Sequence, residues 1–161
     1  MASSPMPRTA TLPEPDGAQL HFRALESLYG SAPINRLFTS QLTIPEPGRS
    51  RIAFEIGEGL HHAAGAAHGT VYFKMLDDAA FYAANSLVSD RFLLTTAFNL
   101  HFTKPAKRGP VIAEGRWISG RRRVFIAEAH LVDAEGDEIG RGTGTFMRSQ
   151  IPLSSLPGYK A

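Results

Sequence analysis

The sequence predicts an α+β domain in which an antiparallel sheet wraps around one long central helix, with a helical extension at the N-terminal side. Three observations predict it. Residues 70–89 are almost entirely apolar, with helical spacing and an acidic pair, Asp77-Asp78, at the middle. Four strand-like runs separated by tight turns follow this helix. A shorter amphipathic helical segment and a pair of alternating strands precede it. A helix apolar on most of its surface needs cover on most sides, and one sheet curling around it supplies that cover.

The elements follow in order. Residues 1–16 contain Pro5, Pro7, Pro13 and Pro15 and read as a flexible N-terminal arm. Residues 18–29 place Leu20, Ala24 and Leu28, and Phe22, Leu25 and Tyr29, at helical spacing. Gly30 and Pro33 stop that helix and a short turn over 34–38 follows, so 17–38 form the N-terminal helical extension. Segments 41–44 and 51–56 alternate on either side of the turn Pro45-Glu46-Pro47-Gly48, as a hairpin does. Residues 57–69, rich in Gly, Ala and His, suit an irregular loop. The long helix then runs from Thr70 and is expected to end near Ser89-Asp90. Segments 93–103, 111–119, 123–132 and 138–149 read as strands of an antiparallel meander. The main domain is thus 39–150, and the Pro-, Ser- and Gly-rich residues 151–161 read as a loose tail. Unpaired edge strands favour association with a second copy.

Composition narrows the chemistry. A chain of 161 residues with 43% hydrophobic and 20% charged residues can bury a core without covalent staples. The absence of cysteine excludes a disulfide framework, a thiolate nucleophile and a thiolate metal site. No apolar leader and no run near the ~18 residues of a membrane span is present, so a cytoplasmic location is expected. Basic residues form two short clusters, Lys104, Lys107 and Arg108, and Arg121, Arg122 and Arg123. They suit solvated turns or contacts to a small phosphorylated ligand; neither a nucleic acid nor a membrane is an expected partner.

The acidic pair is the first candidate site. A buried ionised carboxylate is costly unless compensated, which makes such a group in an apolar helix a functional candidate. At about 100° per residue the two aspartates separate. Asp78 shares a stripe with Lys74, four residues back, and can pair with it. Asp77 lies between Phe73 and Phe81, with Thr70, Ala84 and Val88 on the same side. It is either a catalytic carboxylate or a partly exposed helix residue whose charge reaches solvent.

The stretch from about 55 to 148 resembles the hotdog-fold acyl-CoA thioesterases, in particular the phenylacetate-degradation (PaaI-like) branch. The resemblance rests on His68-Gly69, on the Asp nine residues after that His, and on Ala83-Ala84-Asn85-Ser86. Downstream it is carried by residues 98–105, Ala106-Lys107-Arg108-Gly109 and the closing run Gly140-Arg141-Gly142-Thr143-Gly144-Thr145-Phe146. It implies a hotdog fold and hydrolysis of acyl-CoA or acyl-carrier thioesters, with coenzyme A entering as part of the substrate and no other cofactor. Asp77 falls on the family's catalytic carboxylate, as nucleophile or as general base on water.

The start of the long helix offers unbonded N–H groups and the positive end of the helix dipole. The oxyanion contact is therefore assigned to Gly69, with Thr70 as the alternative, and His68 either orients this turn or is a satisfied loop histidine. Where many relatives have an Asn six residues before the His, this chain has His62, and where many have a second glycine it has Thr70. Thr95 and Thr96 are candidates to hold water or substrate, Thr96 preferred, or are simply β-branched strand residues. Lys107, Arg108, Arg121, Arg122 and Arg123 are candidates for the phosphates of coenzyme A. No metal is expected, because His61, His62 and His68 lack an acidic or Cys partner at ligand spacing. A homodimer, or a pair of dimers, is the expected assembly. A non-catalytic acyl-CoA-binding hotdog module and a hotdog dehydratase or hydratase are the competing readings.

Overall fold

The structure, a computed structural model, describes residues 16–161. Most of the expected N-terminal arm, residues 1–15, lies outside the described residues. Helix α1 spans Gly17–Ser31, and its first turn is capped by Asp16, whose carboxylate accepts a 3.0 Å bond from the Gln19 N–H. It ends where Ala32, ahead of Pro33, takes an extended backbone. One short 3₁₀ turn, Pro33–Leu37, leads into the sheet.

Six antiparallel strands form that sheet: β1 Ser40–Thr43, β2 Arg49–Ile56, β3 Arg91–Phe102, β4 Gly109–Ser119, β5 Val124–Val132 and β6 Glu138–Pro152. Helix α2, Gly69–Asn85, lies in its concave face and is buried along Val71, Tyr72, Met75, Leu76, Ala79, Ala80, Ala83 and Ala84. The approach is closest at Gly115 on β4, where a Cβ atom would stand 2.0 Å from the Ala79 carbonyl oxygen. The Ser50 hydroxyl donates to that same carbonyl at 2.5 Å. The alternating burial of β2 and β5 puts Ile52, Phe54, Phe125, Ala127, Ala129 and Leu131 against the helix.

Three local expectations change. The strand order is β1-β2-β4-β5-β6-β3, so the last four strands are not a simple meander. β3 crosses to the far edge and pairs with β6, because closing a sheet around a helix is a non-local choice that strand periodicity does not encode. The central helix stops at Asn85 rather than near residue 89. There the Asn85 side chain donates to the Val88 and Arg91 carbonyls and accepts from the Leu93 N–H at 2.9 Å, turning the chain into β3. Finally, residues 151–161 pack on the molecule: Leu153 is fully buried, and the Tyr159 hydroxyl meets His21 Nδ1 at 2.6 Å. Prolines and glycines at 152, 157 and 158 here fit a close-packed path. No helix among the described residues is long and apolar enough to cross a membrane.

Candidate active site

The two aspartates of α2 have separate fates. Lys74 Nζ binds Asp78 Oδ2 at 2.5 Å and Asn35 Oδ1 at 2.6 Å, and sits 4.9 Å from the Phe38 ring centroid. Lys74 is thus committed to Asp78 and to the segment after α1. Burial pushes the Asp78 carboxyl upward, and Lys74 opposes that push.

Asp77 has no ion-pair partner among the described residues and takes a hydroxyl instead: Thr95 Oγ1 donates to Asp77 Oδ1 at 2.9 Å. Burial raises its pKa from 3.8 to about 6; the Thr95 bond and Lys74 pull it down, and the Asp78 charge pushes it further up. It lines a groove of about 210 Å³ with Phe81, Tyr82, Phe92, Leu94 and Thr95. The sequence pattern left Asp77 open between a solvated charge and a functional one; the structure gives it a groove, a half-buried carboxylate and no ion pair among the described residues.

The threonine at this carboxylate is Thr95. Thr96, the one preferred from the sequence, is the extra residue of a β-bulge, since Thr95 faces Phe146 and Ala97 faces Thr145. Its hydroxyl bonds the Thr145 carbonyl at 3.1 Å. The alternation from buried Leu93 points Thr95 inward, but a bulge cannot be read from strand periodicity.

At the other end of the helix, His68 is the N-cap. Its Nδ1 accepts from the Thr70 N–H at 3.1 Å and lies 3.0 Å from Thr70 Oγ1. This occupies the Thr70 amide and leaves the Gly69 N–H, at the first helical position, without a hydrogen-bond partner among the described residues. A Cβ on Gly69 would come within 3.2 Å of the Phe102 ring. Gly69 lines a cleft of about 420 Å³ with His62, Ala67, Tyr72, Phe102 and Lys104. His62 Nδ1 accepts from the Ala64 N–H at 3.1 Å, and the His61 ring bonds the Lys107 carbonyl, docking the 57–69 loop on the segment after β3. No cluster of three metal-ligating side chains converges among the described residues.

One chain does not bring Asp77 and Gly69 together. They line different clefts, and eight helical residues separate them by about 12 Å along the axis. The two basic clusters are also apart. Lys107 and Arg108 precede β4 beside the Gly69 cleft, with Arg108 paired to Glu58, while Arg121, Arg122 and Arg123 follow β4 at its other end. Arg121 stacks over the Trp117 ring at 5.3 Å.

The structure thus presents a curled antiparallel sheet around one helix, with a carboxylate midway along that helix and an unbonded amide at its start. The sequence profile of the thioesterase superfamily matches residues 64–139. Over 115 residues the chain is 31% identical to a Saccharolobus solfataricus protein assigned provisionally as an esterase, spanning 68% of this chain and 77% of that one. This chain belongs to the thioesterase superfamily, and its fold is the hotdog fold. The Escherichia coli PaaI protein from the phenylacetic acid degradation operon superposes with a TM-score of 0.74 at 15% identity, over 83% of this chain and 98% of that one. A Streptococcus mutans UA159 protein solved with acetyl CoA bound gives 0.62 at 18% identity, over 70% and 88%. Both share the fold.

Proposed function

We propose that the protein hydrolyses acyl-CoA thioesters to a free acid and the thiol of coenzyme A. The observation that carries this reading is Asp77, a half-buried carboxylate with a hydroxyl donor on one oxygen, no ion-pair partner among the described residues, and a pKa raised to about 6. Such a group is ionised at neutral pH and still basic enough to act. It attacks the thioester carbon, expelling the thiolate, and water then cleaves the resulting anhydride. Alternatively it takes a proton from a water that attacks the same carbon. In both routes the C–S bond breaks and the carbonyl oxygen gains negative charge; the position of the unbonded Gly69 N–H at the positive end of the α2 dipole supports its assignment as the group that receives this charge. Neither route calls for a metal or a cofactor other than the coenzyme A of the substrate.

The separation of Gly69 from Asp77 argues for two copies. Antiparallel α2 helices crossing at the midpoint between these residues would set Gly69 of one copy against Asp77 of the other, twice. That midpoint is Phe73, which is 41% exposed despite its size. β3 is a sheet edge of 12 residues that leaves Leu94 and Phe102 exposed. Pairing β3 with its copy would cover that edge. An antiparallel β3 pair also carries the Arg121–Arg123 end of one copy toward the Lys107–Arg108 end of the other, where both could meet the phosphates of one coenzyme A.

The direct test measures thiol release from a panel of acyl-CoAs by wild type, Asp77→Ala and Asp78→Ala. The expected result is turnover by wild type and a loss of at least a hundredfold in Asp77→Ala with acyl-CoA binding retained. A milder loss is expected in Asp78→Ala. Binding without thiol release by wild type would establish a ligand-binding module instead.

A further inference from the structure

The N-terminal helix and the C-terminal tail lie outside the stretch matched by the superfamily profile, yet together they shape an open cleft. This cleft of about 590 Å³ lies between the end of α1, α2, β3 and the tail, walled by Leu28, Ala32, Tyr82, Phe92, Leu156 and Pro157. Tyr82 and Phe92 are also walls of the groove that holds Asp77. The two spaces therefore adjoin across a pair of aromatic rings. Its size lies within the ~300–1,000 Å³ of small-molecule sites.

The cavity is built rather than left over. His21 on α1 clasps three elements: its Nδ1 accepts from the Tyr159 hydroxyl at 2.6 Å, so its Nε2–H donates to the Asn85 carbonyl at the end of α2, at 3.0 Å. The tail then lies directly on α1, since a Cβ on Gly158 would stand 1.9 Å from Ser31 Oγ. Phe22, Leu25 and Tyr29 bury the rest of the helix. Against this tight framework, the open space faces mostly apolar side chains, and Lys160 is the one charged residue in its wall among the described residues. An occupant with several phosphates would find a single cation, Lys160, to meet them.

We propose that this chamber receives the acyl chain of the thioester, which passes Tyr82 and Phe92 from a carbonyl held at Asp77. The inference rests on the thioesterase reading above and adds a substrate class: medium-chain aliphatic acyl groups rather than acetyl. Leu28, Ala32 and Leu156 are then determinants of chain length contributed by segments outside the matched family region.

The experiment is a kcat/KM series on straight-chain acyl-CoAs from acetyl to dodecanoyl, with wild type, Ala32→Trp and Leu156→Ala. Ala32 is half-exposed at the end of α1, so an indole there fills the chamber at little cost to folding. Wild type is expected to gain about fourfold per methylene buried, from the transfer free energy of a CH₂ group. Ala32→Trp loses at least thirtyfold on decanoyl-CoA while acetyl-CoA stays within twofold, and Leu156→Ala moves the optimum to longer chains. An unchanged length profile in both variants, with thiol release intact, overturns the chamber and leaves the thioesterase reading standing. If wild type releases no thiol from any substrate, that reading fails. Calorimetric titration with decanoate then decides the chamber: binding by wild type and loss of it in Ala32→Trp supports it, and no binding by wild type overturns it.

Discussion

Thr95 Oγ1 donates a 2.9 Å hydrogen bond to Asp77 Oδ1, joining the sheet edge to the middle of the central helix. The bond fixes the orientation of the carboxylate and lowers its proton affinity, opposing the larger effect of burial. One oxygen remains for chemistry.

That balance sets a pH dependence. Both routes need ionised Asp77, so kcat/KM rises about tenfold per pH unit below a midpoint near 6 and levels off above it. Thr95→Val removes the opposing donor and moves the midpoint upward. A pH–rate profile on both proteins reads this directly; a midpoint unchanged by the substitution would separate Thr95 from the ionisation.

Stability should run the other way. A carboxyl whose folded pKa is raised holds its proton more tightly folded than unfolded, so stability falls as pH rises from about 3.8 through about 6, and then stays level. That gap corresponds to at most ~3 kcal/mol, and partial exposure reduces the expectation to about 1–2 kcal/mol. Asp77→Asn, which still accepts the Thr95 bond, therefore raises Tm at pH 7.5 while abolishing turnover. The stabilisation disappears near pH 4. Thermal melts at the two pH values test the sign.

Lys74 and Asp78 behave as a structural pair. Lys74→Met leaves Asp78 in a half-buried position without its cation and should cost about 3 kcal/mol. The double substitution Lys74→Met with Asp78→Leu removes both charges and recovers most of the loss. Urea unfolding of the single and double variants measures the coupling.

Phe73 should govern assembly and turnover together. If Gly69 and Asp77 work across two copies, Phe73→Asp yields a folded monomer, by sedimentation and circular dichroism, with kcat down at least a hundredfold. A folded monomer of full activity would overturn the two-copy site and the role of Gly69 in it.

The sequence by itself determined the elements. Apolar spacing over 70–89 marks the central helix, period-two alternation marks β2 and β5, and a carboxylate on an apolar helix marks Asp77 as a candidate, because these signals are local and each follows from burying one face. It also carried the family, through His68-Gly69 and the Asp nine residues on. Tertiary structure alone decided how these parts meet. It put β3 beside β6 rather than β4, set Thr95 rather than Thr96 against Asp77 through one bulged residue, and folded residues 151–161 onto α1. Each of those outcomes depends on which distant surfaces come into contact, and short-range periodicity holds no record of contacts between residues far apart in the chain.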